Sequence, residues 1–125
     1  MDNSDENARN NSHGSVIGCV FDHANSNQGT GIKIVGCTNG EVFSGCQLFY
    51  ADIEIENSKG IQFDNFNIGG GNCDIKITEG ENAGLIIFNS CMFANGTYTL
   101  SGIVSPNNLV KLVNCWNTDG TAVTI

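Results

Sequence analysis

The most regular feature of the chain is a triplet in which two apolar residues flank one polar residue. The triplet returns every 21 to 25 residues. Alternation of apolar and polar residues predicts a β-strand with one buried face. A period of this length is typical of one turn of a solenoid, because it is too long for heptads and too short for a helix pair. The triplets are Ile32-Lys33-Ile34, Ile53-Glu54-Ile55, Ile75-Lys76-Ile77, Tyr98-Thr99-Leu100 and Val123-Thr124-Ile125.

A second apolar motif alternates with the triplets and has the same period. It starts with an apolar residue and continues with a small or polar pair, which is followed by Cys or Phe. Its last position is apolar in every copy except the one that ends at Asn117. A third short apolar stretch, with Glu41 as its exception, leads into the motif. Each turn is therefore predicted to contain at least two strands. The second motif occupies residues 16–21, 43–48, 63–68, 88–93 and 112–117.

Asn and Gly recur between the predicted strands, for example at Asn39-Gly40, Asn57 and Gly60. Both residue types tolerate a left-handed backbone and therefore suit corners. The pattern predicts an all-β chain without significant helix, folded as a single-stranded right-handed parallel β-helix of about five turns. An antiparallel sandwich is the alternative, although it would not require the same residue type at the same place in every turn. The predicted inward columns are Ile32, Ile53, Ile75, Tyr98, Val123 and Cys19, Cys46, Phe66, Cys91, Cys115.

The chain divides into two predicted regions. Residues 1–14 are strongly polar and form an arm or the end of a truncated turn, whereas residues 15–125 form the β-helix. The last triplet ends at Ile125, inside a predicted strand that nothing caps. An uncapped strand offers unpaired backbone groups. We therefore expect a fragment of a longer coil, or a segment that stacks on another subunit.

Composition narrows the classes of partner. The formal net charge is −8 and only 14% of the residues are charged. Nucleic acid and anionic membrane surfaces attract basic proteins, so neither is an expected partner. The chain also shows no transmembrane segment and no signal-peptide pattern. A negatively charged polysaccharide is a poor default ligand for the same electrostatic reason.

Six cysteines raise the question of a disulfide or a metal site. Four of them occupy the same inward position of the repeat, where a free thiol packs as a small hydrophobe. No C-x-x-C pair is present, so no zinc site is expected, and a disulfide is the remaining alternative. Buried reduced thiols would suit assembly in a reducing cytoplasm.

The outward residues of the triplet strands carry the candidate chemistry. Asp52, Glu54 and Glu56 alternate along one strand and point to one side, and the next turn places Asp74 beside Asp52 and Lys76 beside Glu54. One hypothesis is a catalytic set of Asp52, Asp74 and Glu54 for glycoside hydrolysis, which requires two carboxyl groups.

Two other roles are open for the same outward residues. The row formed by Lys33, Glu54 and Lys76 alternates in charge and would fix the register of the stack. The Asp52–Asp74 pair also suits calcium, whereas no cofactor is otherwise expected. Trp116 lies one residue past its inward cysteine and should point outward, as a sugar-stacking platform or as a packing contact. The candidate carbohydrate-binding residues are Glu56, Lys76 and Trp116.

Two stretches of the chain carry a resemblance to a known family. Residues 40–49 (GEVFSGCQLF) and 55–63 (IENSKGIQF) combine a strand, an Asn or Gly corner and a new strand. With the turns laid out, the segment from Gly14 to Ile125 resembles the parallel β-helix of bacteriophage tailspike and appendage proteins, in the pectate-lyase-like superfamily. The resemblance implies a homotrimeric fibre component of the virion tail that binds, and often cuts, a surface glycan of the host bacterium. No catalytic residue can be transferred from it, because members of the family keep their acids at different places.

The resemblance and the residues together leave three functions open. The first is a structural tailspike segment that binds a bacterial surface polysaccharide or cell-wall glycan, assembled in the bacterial cytoplasm as a homotrimer or by end-to-end association. The second is a glycan depolymerase of the glycoside hydrolase type. The third is a secreted pectin-type polysaccharide enzyme or adhesin. Pectin lyases of this fold use an arginine as base, and the only arginine is Arg9, outside the turns, so β-elimination within them is not expected.

Overall fold

The protein is built from β-strands joined by short corners. The computed structural model describes residues 14–22, 29–38, 40–69, 73–78, 83–94, 98–101 and 110–123. No α-helix occurs within these ranges, so they contain no helix that is long and apolar enough to cross a membrane. Numbered along the chain, the strands are β1 (Gly14–Ile17), β2 (Val20–Asp22), β3 (Thr30–Val35), β4 (Glu41–Ser44), β5 (Gln47–Phe49), β6 (Asp52–Glu56), β7 (Ile61–Asp64), β8 (Asn67–Gly69), β9 (Cys73–Thr78), β10 (Ile86–Asn89), β11 (Met92–Phe93), β12 (Tyr98–Ser101), β13 (Val110–Val113) and β14 (Trp116–Asn117).

The strands form three parallel sheets that run the length of the molecule. Sheet 1 contains β3, β6, β9 and β12, sheet 2 contains β1, β4, β7, β10 and β13, and sheet 3 contains β2, β5, β8, β11 and β14. Each strand pairs in parallel with the strand three positions later in the chain. One turn therefore delivers one strand to each sheet. This arrangement confirms the predicted all-β parallel β-helix.

The number of complete turns is smaller than the five predicted. Three successive turns, β3–β5, β6–β8 and β9–β11, contribute a strand to every sheet. The strands β1 and β2 extend sheets 2 and 3 on one side, and β12 to β14 extend the stack on the other. The ranges 1–13 and 102–109 lie outside the described residues.

The inward column of sheet 1 agrees with the sequence pattern in three turns and departs from it in the fourth. Ile32 lies opposite Ile53, and Ile53 lies opposite Ile75. All three side chains are buried. The prediction that Tyr98 continues this column is wrong, because Leu100 pairs with Ile75. Residues two apart share a face of a strand, so alternation alone does not distinguish Tyr98 from Leu100.

A β-bulge in sheet 1 depends on the absence of a side chain at Gly31. The register between β3 and β6 shifts between Thr30 and Ile32. A Cβ atom at Gly31 would lie 2.8 Å from the Cβ of Ala51 and 2.9 Å from Cδ1 of Leu48. Such distances are shorter than van der Waals contact. Glycine therefore permits the close approach of two turns at this point.

Stacked aromatic rings fill the centre of the coil beside sheet 2. The rings of Phe43 and Phe63 are 5.1 Å apart, and those of Phe63 and Phe88 are 4.7 Å apart, with interplanar angles of 17° and 8°. Phe66 meets Phe63 edge-on at 5.3 Å. These residues are buried. Such contacts add to the free energy gained from apolar burial, so this stack is a major source of stability.

The corners between sheets 2 and 3 all use a left-handed backbone. The residue at this position has a φ between 50° and 66° in five successive turns. The next residue is the inward Cys or Phe of the second motif, so the corner turns that side chain into the core. Glycine and asparagine adopt this conformation more readily than other residues. The predicted corners lay elsewhere, for example at Asn57 and Gly60, and these five positions were predicted as part of the second motif. The corner residues are Gly18, Gly45, Asn65, Ser90 and Asn114.

The inward cysteines connect successive turns through their thiols. The Sγ atoms of Cys46, Cys91 and Cys115 donate hydrogen bonds of 3.4, 3.2 and 3.1 Å to backbone carbonyls of the preceding turn. All six cysteines are free thiols, so these residues form no disulfide. The predicted burial of Cys19 is wrong, since its side chain is exposed. It lies beside β2, the edge strand of sheet 3, where no further described strand covers the end of the column.

The segment after β14 reverses direction instead of starting another turn in sheet 1. Ala122 forms an antiparallel bridge with Trp116, and the Val123 N–H donates to the Cys115 carbonyl at 3.3 Å. The Asn117 amide nitrogen closes the turn by donating to Oγ1 of Thr121 at 3.0 Å. The prediction that Val123 joins the column of Ile32 is therefore wrong. This terminal hairpin covers part of the sheet 3 edge; Thr124 and Ile125 lie outside the described residues.

Candidate functional site

The outer surface of sheet 1 carries the predicted row of alternating charge. Lys33 lies opposite Glu54, and Glu54 lies opposite Lys76. A shallow cavity of about 180 Å³ opens beside the row. We call this surface the sheet 1 face, and its cavity is lined by Lys33, Glu54, Ile55, Glu56, Lys76 and Thr78.

Two side chains of the preceding turn contact Glu54. Its Oε2 atom lies 3.6 Å from Nζ of Lys33, and its Oε1 atom accepts a hydrogen bond of 2.8 Å from Oγ1 of Thr30. Lys76 lies opposite Glu54 in the ladder, but in the described part of the chain the ion pair of Glu54 is with Lys33. The Lys33 side chain is 56% exposed, so the ion pair contributes at most about 1 kcal/mol. The register prediction is thus confirmed, with one of the two expected charge contacts formed.

Asp52 and Asp74 meet where β6 and β9 begin. The backbone N–H of Asp74 donates to Oδ1 of Asp52 at 2.8 Å, so one carboxylate oxygen is engaged by the neighbouring turn. Both side chains are half-buried. Burial, followed by the charges of Asp52 and Asp74, raises the pKa of the adjacent Cys73 thiol to about 12. The predicted proximity of the two aspartates is therefore confirmed, and their catalytic role stays a prediction.

The remaining predicted site residues occupy two different sheets. Glu56 ends β6 on the exposed side of the sheet 1 face, close to Lys76 in the same cavity. Trp116 belongs to β14 in sheet 3 and does not line that cavity. Its side chain is 46% exposed, as predicted, and its Nε1–H donates to Oδ1 of Asn114 at 2.9 Å. The structure thus brings together Asp52, Glu54, Glu56, Asp74 and Lys76, and it separates Trp116 from them.

A metal centre is not assembled in the described ranges. No three side chains of the types His, Cys, Asp and Glu come close enough there to hold an ion. Calcium bound between Asp52 and Asp74 stays a prediction.

Sequence reasoning missed a second cavity, on the outer surface of sheet 3. It has a volume of about 280 Å³. The sequence contained one indication of this cavity. Gln47 and Phe49 alternate with the inward Leu48, so the Phe49 ring lies on the outer surface of the sheet. We call it the sheet 3 groove, and it is lined by Gln47, Phe49, Asn67, Ile68, Gly69, Met92, Ala94 and Thr118.

Glu41 is an ionisable residue whose side chain is buried in the interior of the coil. It is 1% exposed and lies opposite Ile61 in an inward column of sheet 2. The sequence signalled this position, since Glu41 is the exception in an otherwise apolar stretch. Glu41 lines neither the sheet 1 face nor the sheet 3 groove.

Comparison of the chain with protein-family models, curated proteins and solved structures gave no match. The architecture is that of a β-solenoid, and the resemblance to tailspike proteins stays a hypothesis that rests on the sequence.

Proposed function

We propose that the chain is a β-helix segment of a bacteriophage tailspike or appendage, with a structural role and a host glycan as its ligand. The observation that carries the proposal is the cavity of the sheet 1 face, which is lined by both the carboxylate of Glu56 and the ammonium group of Lys76 on two adjacent, in-register strands. Hydrogen-bond acceptors and donors in fixed positions are what a polyhydroxylated ligand requires. The resemblance of residues 40–49 and 55–63 to tailspike coils supports the same function.

The regular spacing of the sheet 1 face suits an extended ligand. Outward side chains recur about every 6.8 Å along a strand and about every 4.8 Å between strands. Because successive turns are in register, Glu54, Lys76 and Thr78 keep these intervals over the face. A glycan chain offers hydroxyl groups at regular intervals and can therefore contact several turns at once.

A binding experiment on a panel of bacterial polysaccharides tests the proposal. Calorimetric titration of the purified chain should identify at least one capsular, lipopolysaccharide or cell-wall glycan as a ligand. Glu56→Gln and Lys76→Met should each weaken binding about tenfold, since each removes a charge-assisted hydrogen bond. Lys111→Met is the matched control, because Lys111 is exposed on sheet 2. Absence of binding across the panel, or equal losses with Lys111→Met, would contradict the proposal.

The Asp52–Asp74 contact favours glycan hydrolysis as a second candidate function. A glycoside hydrolase needs two carboxyl groups that flank the scissile bond, and the Asp52 carboxylate contacts the backbone of Asp74 in the next turn. Release of reducing ends from a bound polysaccharide would support this function. Its loss in Asp52→Asn, with unfolding free energy preserved, would assign the reaction to the pair.

Homotrimeric association is part of the proposal, and the terminal hairpin affects its geometry. Ala122 occupies the outer edge of β14, so a second copy cannot add a parallel strand there. Side-by-side association therefore accounts better for a trimer than end-to-end stacking through sheet 3. Sedimentation velocity over a range of concentrations tests this, and a monomer at every concentration would contradict it.

A further inference from the structure

We propose that the sheet 3 groove is a second carbohydrate site and that it takes one uncharged sugar unit. This inference rests on the proposed function in that it takes the ligand to be a glycan. It concerns a different sheet and different residues from the charged cavity of the sheet 1 face.

An aromatic ring and two small residues line the groove. Phe49 points outward from β5, and the register places Gly69 opposite it in the next turn. A Cβ atom at Gly69 would lie 3.6 Å from the Phe49 ring and 3.4 Å from the Cβ of Ala94. These distances are ordinary van der Waals contact and Gly69 is buried, so the gap beside Gly69 is the size of a methyl group. The Phe49 ring forms one wall of a trough, and the small residues lie beneath it. The trough continues past Met92, which is 47% exposed.

Two side-chain amides stand at the rim of this trough. Gln47 and Asn67 lie opposite each other on β5 and β8. In the described part of the chain, the two carboxamides make no hydrogen bond to other protein groups. Each carboxamide offers two donor hydrogens and an acceptor oxygen. The rim can therefore bind vicinal hydroxyl groups without breaking a contact within the protein.

The charge of the groove selects the class of ligand. None of the described residues that line it is ionisable, and the whole chain carries a formal charge of −8. An acidic sugar would find no cation there and would be repelled by the surrounding field. A neutral pyranose can pack its C–H face on the Phe49 ring and present its hydroxyl groups to the amides. Within the described residues, the combination of one aromatic wall, two amides without a hydrogen bond and no ionisable lining side chain fits a neutral sugar better than an apolar peptide.

Sugar titrations followed by ¹H–¹⁵N NMR test the inference. Methyl glucoside, methyl galactoside and N-acetylglucosamine are the neutral probes, and glucuronic acid is the acidic comparison. At least one neutral probe should shift the side-chain amide signals of Gln47 and Asn67 together with the backbone signal of Gly69. Glucuronic acid should bind more weakly than that probe.

Variants assign the binding to the groove. Phe49→Ala and Asn67→Ala should each weaken binding of the neutral probe about tenfold. Gly69→Ala should weaken it by narrowing the trough. The Cβ distances at Gly69 are ordinary van der Waals contact, so this variant should fold and can replace Phe49→Ala if that variant does not fold. Gln62→Ala removes an amide from the neighbouring sheet 2 and should bind the probe as the unmodified chain does.

Each outcome is informative. Absence of neutral-probe shifts at the groove, or stronger shifts with glucuronic acid, would overturn the inference. Groove signals that change with protein concentration and not with sugar would assign the surface to a second copy and would also overturn it. Polysaccharide binding that is lost in Lys76→Met but unchanged in Phe49→Ala and Gly69→Ala would leave the proposed function intact and reject the groove. Neutral-sugar binding at the groove without polysaccharide binding would support the groove and reject the proposed function.

Discussion

The backbone N–H of Asp74 donates a hydrogen bond of 2.8 Å to the Asp52 carboxylate, which joins two turns at the start of β6 and β9. The contact gives Asp52 a structural role whether or not it takes part in catalysis. Stability and activity at this position must therefore be separated by the choice of substitution.

Asp52→Asn and Asp52→Ala should differ in stability. Asparagine keeps an oxygen that can accept from the Asp74 N–H, so we expect its unfolding free energy to stay within about 1 kcal/mol of the original. Alanine leaves that N–H without its acceptor and should cost about 1–3 kcal/mol. Urea denaturation measures both. An equal loss in the two variants would show that the charge of Asp52, and not its acceptor oxygen, stabilises the stack.

Glu54→Gln should remove the ion pair with Lys33 and keep the acceptor for Thr30. We expect a loss of at most about 1 kcal/mol in low salt. The Debye length falls from about 10 Å at 0.1 M salt to about 3 Å at 1 M. The difference between the two proteins should therefore shrink as salt is added. A loss that does not respond to salt would contradict the electrostatic role of the row.

Phe63→Ala should be among the most destabilising substitutions in the chain. The Phe63 ring stacks on both Phe43 and Phe88 and is buried, so its removal leaves a cavity in the centre of the coil. The expected cost is about 3–5 kcal/mol. Phe49→Ala, at a half-exposed ring on the outer surface, should cost less. Thermal or urea unfolding measures both variants. A larger loss of stability in Phe49→Ala than in Phe63→Ala would contradict the position of Phe63 in the core.

Ser90→Gly should stabilise the protein. Ser90 has a φ of 55° at a corner where other turns use Gly or Asn. A left-handed backbone costs an L-residue roughly 1–2 kcal/mol, and glycine does not incur that cost. Greater freedom of glycine in the unfolded chain offsets part of the gain, so we expect a net increase of about 1 kcal/mol. Ser44→Gly, within β4, is the control and should destabilise.

Stability should fall at alkaline pH through the Cys73 thiol. The folded protein raises the pKa of Cys73 from the usual 9.0 to about 12, mainly through burial. Between these values the unfolded chain loses the proton while the folded chain keeps it, so rising pH favours unfolding. The contribution is fully present below about pH 9 and is lost as pH approaches 12. Cys73→Val, which has no titrating group, should lose less stability over this window.

Alkylation tests the burial of Cys73 directly. The Cys19 thiol is solvent-exposed, so alkylation at mildly alkaline pH should modify Cys19 in the folded protein before it modifies Cys73. Equal rates at the two positions would contradict the burial of Cys73.

The sequence by itself determined the architecture and one face of the candidate site. Alternation around Ile32, Ile53 and Ile75 specified which side of each strand is buried, and the repeat length placed these residues opposite each other. The same reasoning aligned Lys33, Glu54 and Lys76. These relationships are local and repeat in every turn, so pattern and period are enough to define them.

Tertiary structure decided the features that break the repeat. The register between β9 and β12 places Leu100 opposite Ile75, and both Tyr98 and Leu100 satisfy the same two-residue alternation. The turn closed by Asn117 and Thr121 sends Val123 back along β14, which the apolar character of Val123 does not reveal. The sheet 3 groove likewise arises because Gly69 lies beside Phe49 although the two residues are far apart in sequence. Side-chain pattern reports the buried face of a strand, whereas register, reversal and surface cavities depend on how connections of different lengths bring distant residues together.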